Sequence, residues 1–169
     1  MKQFKRIIAV VLVLFYANLG KAQVFLKGDK INEFYIGYDP IVTNEYTKTY
    51  NKPTSLISKF LVSNKGYRYE KMVHDRVGLG VNINQVIIRT SLMFSAYFHF
   101  IENDYFDVFA TGAVGSGFDI DSNTEEFTYI TPYYVGSGIR YFSGNDLGIN
   151  LNVGYRDGAM ITIGLSFRN

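Results

Sequence analysis

The chain lacks cysteine and tryptophan altogether and holds only three prolines in 169 residues. Without cysteine there is no disulfide framework, no zinc ribbon, no thiol nucleophile and no lipidated N-terminal cysteine. Charge is scarce too: Asp, Glu, Lys and Arg make up 19% of the chain, against roughly 25% in soluble domains. No apolar run approaches the length of about 20 residues that a spanning helix needs, so no transmembrane helix is expected. Aromatics are plentiful, with 14 Tyr and 14 Phe in a chain that is 47% hydrophobic. That composition excludes a disordered chain, and the length suits one domain. No internal repeat, low-complexity tract or linker interrupts it.

The first 22 residues have the three-part layout of a secretory signal. Lys2, Lys5 and Arg6 form a basic head, Ile7 to Tyr16 an apolar run of ten, and Gly20-Lys21-Ala22 places small residues at −3 and −1. Ten apolar residues are too few for a membrane anchor. Cleavage after Ala22 leaves residues 23–169 as the mature domain. It removes Lys2, Lys5, Arg6 and Lys21, so 13 basic side chains then face 15 acidic ones and the net charge falls from +2 to −2. The basic balance of the precursor therefore lends no support to nucleic-acid binding.

The mature chain alternates with period two. Leu147, Ile149, Leu151, Val153 and Tyr155 alternate with Gly148, Asn150, Asn152, Gly154 and Arg156, and Val77, Leu79, Val81 and Ile83 with Gly78, Gly80, Asn82 and Asn84. This is a strand pattern and not the i, i+3, i+4 pattern of a helix. Asp157-Gly158 is a two-residue hairpin signal. Further turns fall at His74-Asp75, Glu102–Asp104 and Ser143–Asp146. Eight strands are expected, at 33–42, 57–73, 76–86, 91–101, 105–118, 130–142, 147–156 and 159–168. The alternation of the second falters at Ser63–Gly66, which reads as a bulge or as the true strand start.

Eight meandering strands hide their edges by closing into an antiparallel barrel. The non-apolar face is Gly, Asn, Ser and Thr with scattered Arg. That face suits a narrow, filled lumen better than a solvated exterior, which turns Leu, Ile, Val, Tyr and Phe toward lipid. Phe98, Phe100, Tyr105, Phe106, Tyr141, Phe142, Tyr155 and Phe167 sit at strand ends, as interfacial girdles do. The longer connections are Thr43–Leu56 and Asp119–Tyr129, and the turns after the second, fourth and sixth strands are short. That matches long external loops and short periplasmic turns in part, since the connection after the seventh strand is short as well.

With its signal segment, its eight-strand meander and its terminal Ile161-x-Ile163-x-Leu165-x-Phe167, the chain resembles the small outer-membrane β-barrel family of the OmpA/OmpX type. The resemblance spans nearly all of the mature chain. It implies a porin-like transmembrane barrel in a Gram-negative outer membrane, in contact with outer-membrane lipid and inserted by the barrel assembly machinery. Ile161, Ile163, Leu165 and Phe167 would form the insertion signal. Members usually end on an aromatic residue, whereas here Arg168 and Asn169 follow Phe167.

Alternation points Arg140, Arg156 and Arg168 into the lumen, with Arg68, Glu70 and Asp107 beside them. Charges there should pair, because lone ones are costly. The cluster is expected to be a structural plug, with a gate as the functional alternative. Catalysis finds no support. His74 and His99 fall at the periplasmic end, away from the external leaflet where lipid A-modifying barrels of this kind work. Ser95 is about 13 Å from His99 along the strand, and no G-x-S-x-G, P-loop or H-E-x-x-H sequence occurs. Asp119-Ile120-Asp121-Ser122-Asn123 begins like a calcium loop, but Thr124 stands where Gly is needed and Ile130 where Glu is. No cofactor or metal is expected. Four functions remain in view: a structural or surface-interaction barrel using loops 43–56 and 119–129, with Tyr46, Tyr50, Lys48 and Lys52 as candidate contacts; a narrow channel; a lipid A-modifying enzyme; and a soluble periplasmic barrel binding an apolar ligand.

Overall fold

The computed structural model describes residues 25–39, 64–86, 89–102, 105–120, 126–143, 146–156 and 159–169. The expected signal segment, positions 40–63 and the centre of the second long loop lie outside them. Nine strands run in sequence: β1 Lys30–Tyr38, β2 Asn64–His74, β3 Val77–Val86, β4 Arg89–Glu102, β5 Phe106–Ile120, β6 Phe127–Ile130, β7 Tyr133–Phe142, β8 Leu147–Tyr155 and β9 Ala159–Arg168. All pair antiparallel, β1 pairs with both β2 and β9, and the β4–β5 ladder closes the sheet into a ring.

The nine segments make eight staves. β6 and β7 both pair with β5, at 117–120 and 106–114, and form one interrupted strand. The break is Thr131-Pro132, where proline has no N–H to give the ladder. Its carbonyl still accepts from the Gly115 amide at 3.0 Å. The sixth strand thus begins at Phe127 and not at 130, and the fifth ends at Ile120 and not at 118, so both ends of the expected loop 119–129 are sheet. β2 begins at Asn64 within the described residues, opposite Gly37. Its register shift falls between Met72 and His74, away from Ser63–Gly66.

The register fixes the shape. From Lys30 the ladder passes through Lys71, Leu79, Ala96, Gly112, Val135 and Tyr155 to Ala159. Ala159 stands two residues past Ile161, the partner of Tyr38, so one circuit ends level with position 40, ten residues from its start. Such a stagger over eight staves tilts the strands by about 40°. The nine residues of β8 then rise about 23 Å, close to the apolar band of a membrane barrel, about 25 Å tall.

The faces are inside-out relative to a soluble barrel. Ile149, Leu151, Val153, Ile161, Ile163 and Leu165 are exposed on the outer wall, while Asn82, Asn84, Ser95, Asn150, Asn152, Thr162 and Ser166 are buried within. Aromatics ring the aliphatic band. Phe98, Phe100, Tyr105, Phe106, Tyr141 and Phe167 lie at the end that carries the termini, Tyr133 and Tyr155 at the other, and Phe118, Phe127 and Tyr129 further out on the same side, all exposed. Ring pairs stiffen both girdles, Phe106–Tyr141 at 5.0 Å in one and Tyr133–Tyr155 at 6.5 Å in the other. Phe142, expected among them, instead turns inward. With Phe25, Ile31 and Met72 it forms a buried apolar stopper across the termini end.

The segment before β1 sets that stopper. Gly28 has φ +108°, a backbone conformation open to glycine. The turn is held by hydrogen bonds from the Gly28 amide to the Met72 carbonyl and from the Leu26 amide to Asp29 Oδ2, at 2.9 and 2.8 Å.

Candidate functional site: the ion-paired lumen

Six charged side chains from five strands meet in the half of the lumen nearer the termini. Arg140 on β7 is the hub, with no exposed surface. Its three nitrogens each donate to a different carboxylate: Nε to Glu33 on β1 at 2.8 Å, Nη1 to Asp107 on β5 at 2.6 Å, and Nη2 to Glu70 on β2 at 2.7 Å. Its guanidinium lies 3.9 Å from the centroid of the Phe109 ring, on which it stacks.

The second oxygen of each carboxylate is also taken. His99 on β4 bridges two of them, Nε2 to Glu70 Oε1 and Nδ1 to Asp107 Oδ1, both at 2.7 Å. Ionised carboxylates only accept, so both ring nitrogens donate and the ring carries the imidazolium charge. Glu33 Oε2 takes Arg68 Nη1 at 3.4 Å, and Glu33 Oε1 also accepts from Ser166 Oγ at 3.1 Å. Arg68 lies 4.1 Å from the Tyr35 ring centroid. Three cations thus face three anions, with every carboxylate oxygen bonded. That neutrality is what lets six charges sit in a low-dielectric interior, where any unpaired one is expensive. The geometry is tight enough to need glycine at Gly78, because a Cβ there would collide with the Glu70 carboxylate. Asn150, Asn152 and Ser166 extend the network through hydrogen bonds of 2.9 Å.

Of the residues singled out in the sequence, Arg68, Glu70, Asp107 and Arg140 belong to this network. Arg156 is buried but lies toward the opposite end, 3.7 Å from Asp39. Arg168 sits at the rim, half-buried, its guanidinium 4.8 Å from the Phe142 ring and 3.6 Å from Asp146. Ile161, Ile163, Leu165 and Phe167 all face outward. Asp119 is on β5 and takes Arg89 at 2.7 Å, and positions 121–125 of the candidate calcium loop lie outside the described residues. Among the described residues no group of carboxylates and histidines is arranged to hold a metal ion.

Sequence reasoning missed two members, Glu33 and His99. The same period-two rule would have found both. Glu33 alternates with the outward Phe34, and His99 follows Met93, Ser95 and Tyr97 on the inward face. By sequence alone His99 reads only as a catalytic candidate near a turn. Ser95 points inward as well, but its hydroxyl donates to Asn82 at 3.4 Å, and both nitrogens of His99 are committed to carboxylates. Ser95 and His99 therefore do not form a nucleophile–base pair.

No protein-family profile matches the sequence, and no curated protein matches it. Solved structures do. The N-terminal β-barrel domain of Pseudomonas aeruginosa OprF superposes with a TM-score of 0.63 at 12% identity, covering 85% of this chain and 98% of that one. A de novo designed transmembrane β-barrel gives 0.56 at 11% identity, covering 86% and 98%. The fold is that of the small outer-membrane barrels of the OmpA/OmpX type: closed, all-β and eight-staved.

Proposed function

We propose that this protein is an integral outer-membrane barrel that works through its loop end, as a structural or surface-interaction protein and not as an enzyme. The uneven rim carries this reading. β4, β5 and β6 stay paired as far as Arg89, Ile120 and Phe127, whereas β1, β8 and β9 stop at Tyr38, Tyr155 and Ala159. With the ten-residue stagger, the first three strands project past the wall. The projection is aromatic: Phe127 is 73% exposed and Tyr129 63%. Thr90, Phe118, Ile120 and Phe127 line a groove along it. Apolar surface of this kind, beyond the band that lipid would cover, marks a docking region.

The apolar wall supports contact with outer-membrane lipid. The outward row Ile161, Ile163, Leu165 and Phe167 supports recognition by the barrel assembly machinery, after export directed by residues 1–22. A narrow channel is disfavoured by the Arg140 hub and the Phe25 stopper, which both block the lumen. A lipid A-modifying activity is disfavoured by the doubly engaged His99, and a soluble ligand-binding barrel by the outward apolar face.

The absence of cysteine makes the topology directly testable. In intact cells a membrane-impermeant maleimide should label Phe127→Cys, and should label Asp75→Cys only after the outer membrane is permeabilised. Labelling of Asp75→Cys in intact cells, or recovery of the protein in the soluble fraction, would overturn the reading.

A further inference from the structure

The other half of the lumen is built differently. Its wall carries Asp39, Asn64, Asn84, Ser91, Tyr134 and Arg156, each almost wholly buried. The register places several of these side by side. Asn84 pairs with Ser91, Asn64 with Gly37, and Arg156 follows Tyr155, the partner of Val135 beside Tyr134. Below them Met93, Tyr134 and Met160 form an apolar floor.

Several of their polar atoms are left unbonded. Asn84 Nδ2, Ser91 Oγ, Asn64 Oδ1 and the Tyr134 hydroxyl have no hydrogen-bond partner, and neither does any of the three guanidinium nitrogens of Arg156. Arg156 is 1% exposed. Its one ion-pair neighbour, Asp39, stands at 3.7 Å, outside hydrogen-bond range, and has a further interaction of its own. A guanidinium offers five N–H donors in a planar fork that matches an oxyanion. A buried one with none of them used calls for an occupant. The Asn84 amide and the Ser91 and Tyr134 hydroxyls add further open donors, and Asn64 Oδ1 adds an open acceptor.

We propose that the loop-side half of the lumen is a blind-ended site for a small oxyanion, a carboxylate or a phosphate group, held by the Arg156 guanidinium. The ion network and the Phe25 stopper close the site from the termini side, so it exchanges only through the loop end. The site does not depend on what the projecting aromatic sheet binds.

The test uses the purified protein in neutral detergent micelles, with Arg Nε–Hε resonances followed by NMR in a Tris chloride buffer. Inorganic phosphate and acetate are titrated separately at matched ionic strength. One arginine signal should shift and saturate. It should vanish in Arg156→Gln, and Arg156→Lys should bind roughly tenfold more weakly, because an ammonium loses the fork. Saturation by phosphate alone or by acetate alone identifies the source. No saturable shift with either anion in the wild-type protein overturns the proposal, whether or not the variants fold. An unchanged titration in Arg156→Gln overturns it too.

Discussion

The two halves of the lumen hold similar residues and use them in opposite ways. Near the termini, every nitrogen of Arg140 donates to a carboxylate. Toward the loops, Arg156 is as deeply buried and spends none on a hydrogen bond. A saturated network has nothing left to offer a ligand and is costly to disturb. An unsaturated one contributes little to stability and retains its binding capacity. The comparison teaches that burial of a charge does not reveal its role. The state of its hydrogen bonds does.

The comparison can be broken most forcefully at the hub. Arg140→Met strands three carboxylates, and breaking buried pairs by removing one partner costs about 3–5 kcal/mol. Urea unfolding in lipid vesicles should show this as a large fall in midpoint. A midpoint within error of wild type would mean that the carboxylates are not held as described. His99→Phe should cost less, about 2–3 kcal/mol, since it leaves one oxygen each of Glu70 and Asp107 without a donor. Gly78→Ala should cost about 1–3 kcal/mol by forcing Glu70 aside; a silent substitution would show that the network has slack. Arg156→Met in anion-free buffer should cost less than about 2 kcal/mol, because it breaks no hydrogen bond and strands one carboxylate, Asp39, which keeps a further interaction. Phe127→Ser, on the projecting sheet, should shift the midpoint by no more than about 0.5 kcal/mol. If Arg156→Met proved as damaging as Arg140→Met, the division into two halves would fail.

Much of this was legible in the sequence because a barrel wall has one strict rule. Leu147 to Tyr155 and Ile161 to Phe167 read directly as outward rows, and the turn at His74-Asp75 separated two staves, whereas the one read at Asp157-Gly158 lies outside the described residues. Period two also sent Arg140, Arg156, Arg68, Glu70 and Asp107 inward, but alternation gives a face and not a height. Height depends on the stagger accumulated around the ring. That stagger is a property of all eight pairings together, so nothing local separated Arg156 from the Arg140 cluster. The extent of β5 and β6 was hidden for a different reason. Asp119, Thr128 and Pro132 are turn-type residues by local chemistry, yet the first two sit opposite each other in the β5–β6 ladder. Phe142 misled because an aromatic beside a turn reads as a girdle residue, and only the Phe25 segment folded beneath the barrel shows why it points inward.

The account rests on which face meets lipid, and the absence of tryptophan allows that to be measured without background. Leu151→Trp lies mid-wall on the outer face, and Phe127→Trp lies on the projecting sheet. Each variant should be reconstituted in vesicles whose lipids carry bromine at the chain ends, and its fluorescence compared with that in unbrominated vesicles. The account predicts strong quenching at position 151 and little at 127. Equal, weak emission loss at both, with the protein recovered free of the vesicles, would contradict it and place the apolar wall in water or in a protein interface instead.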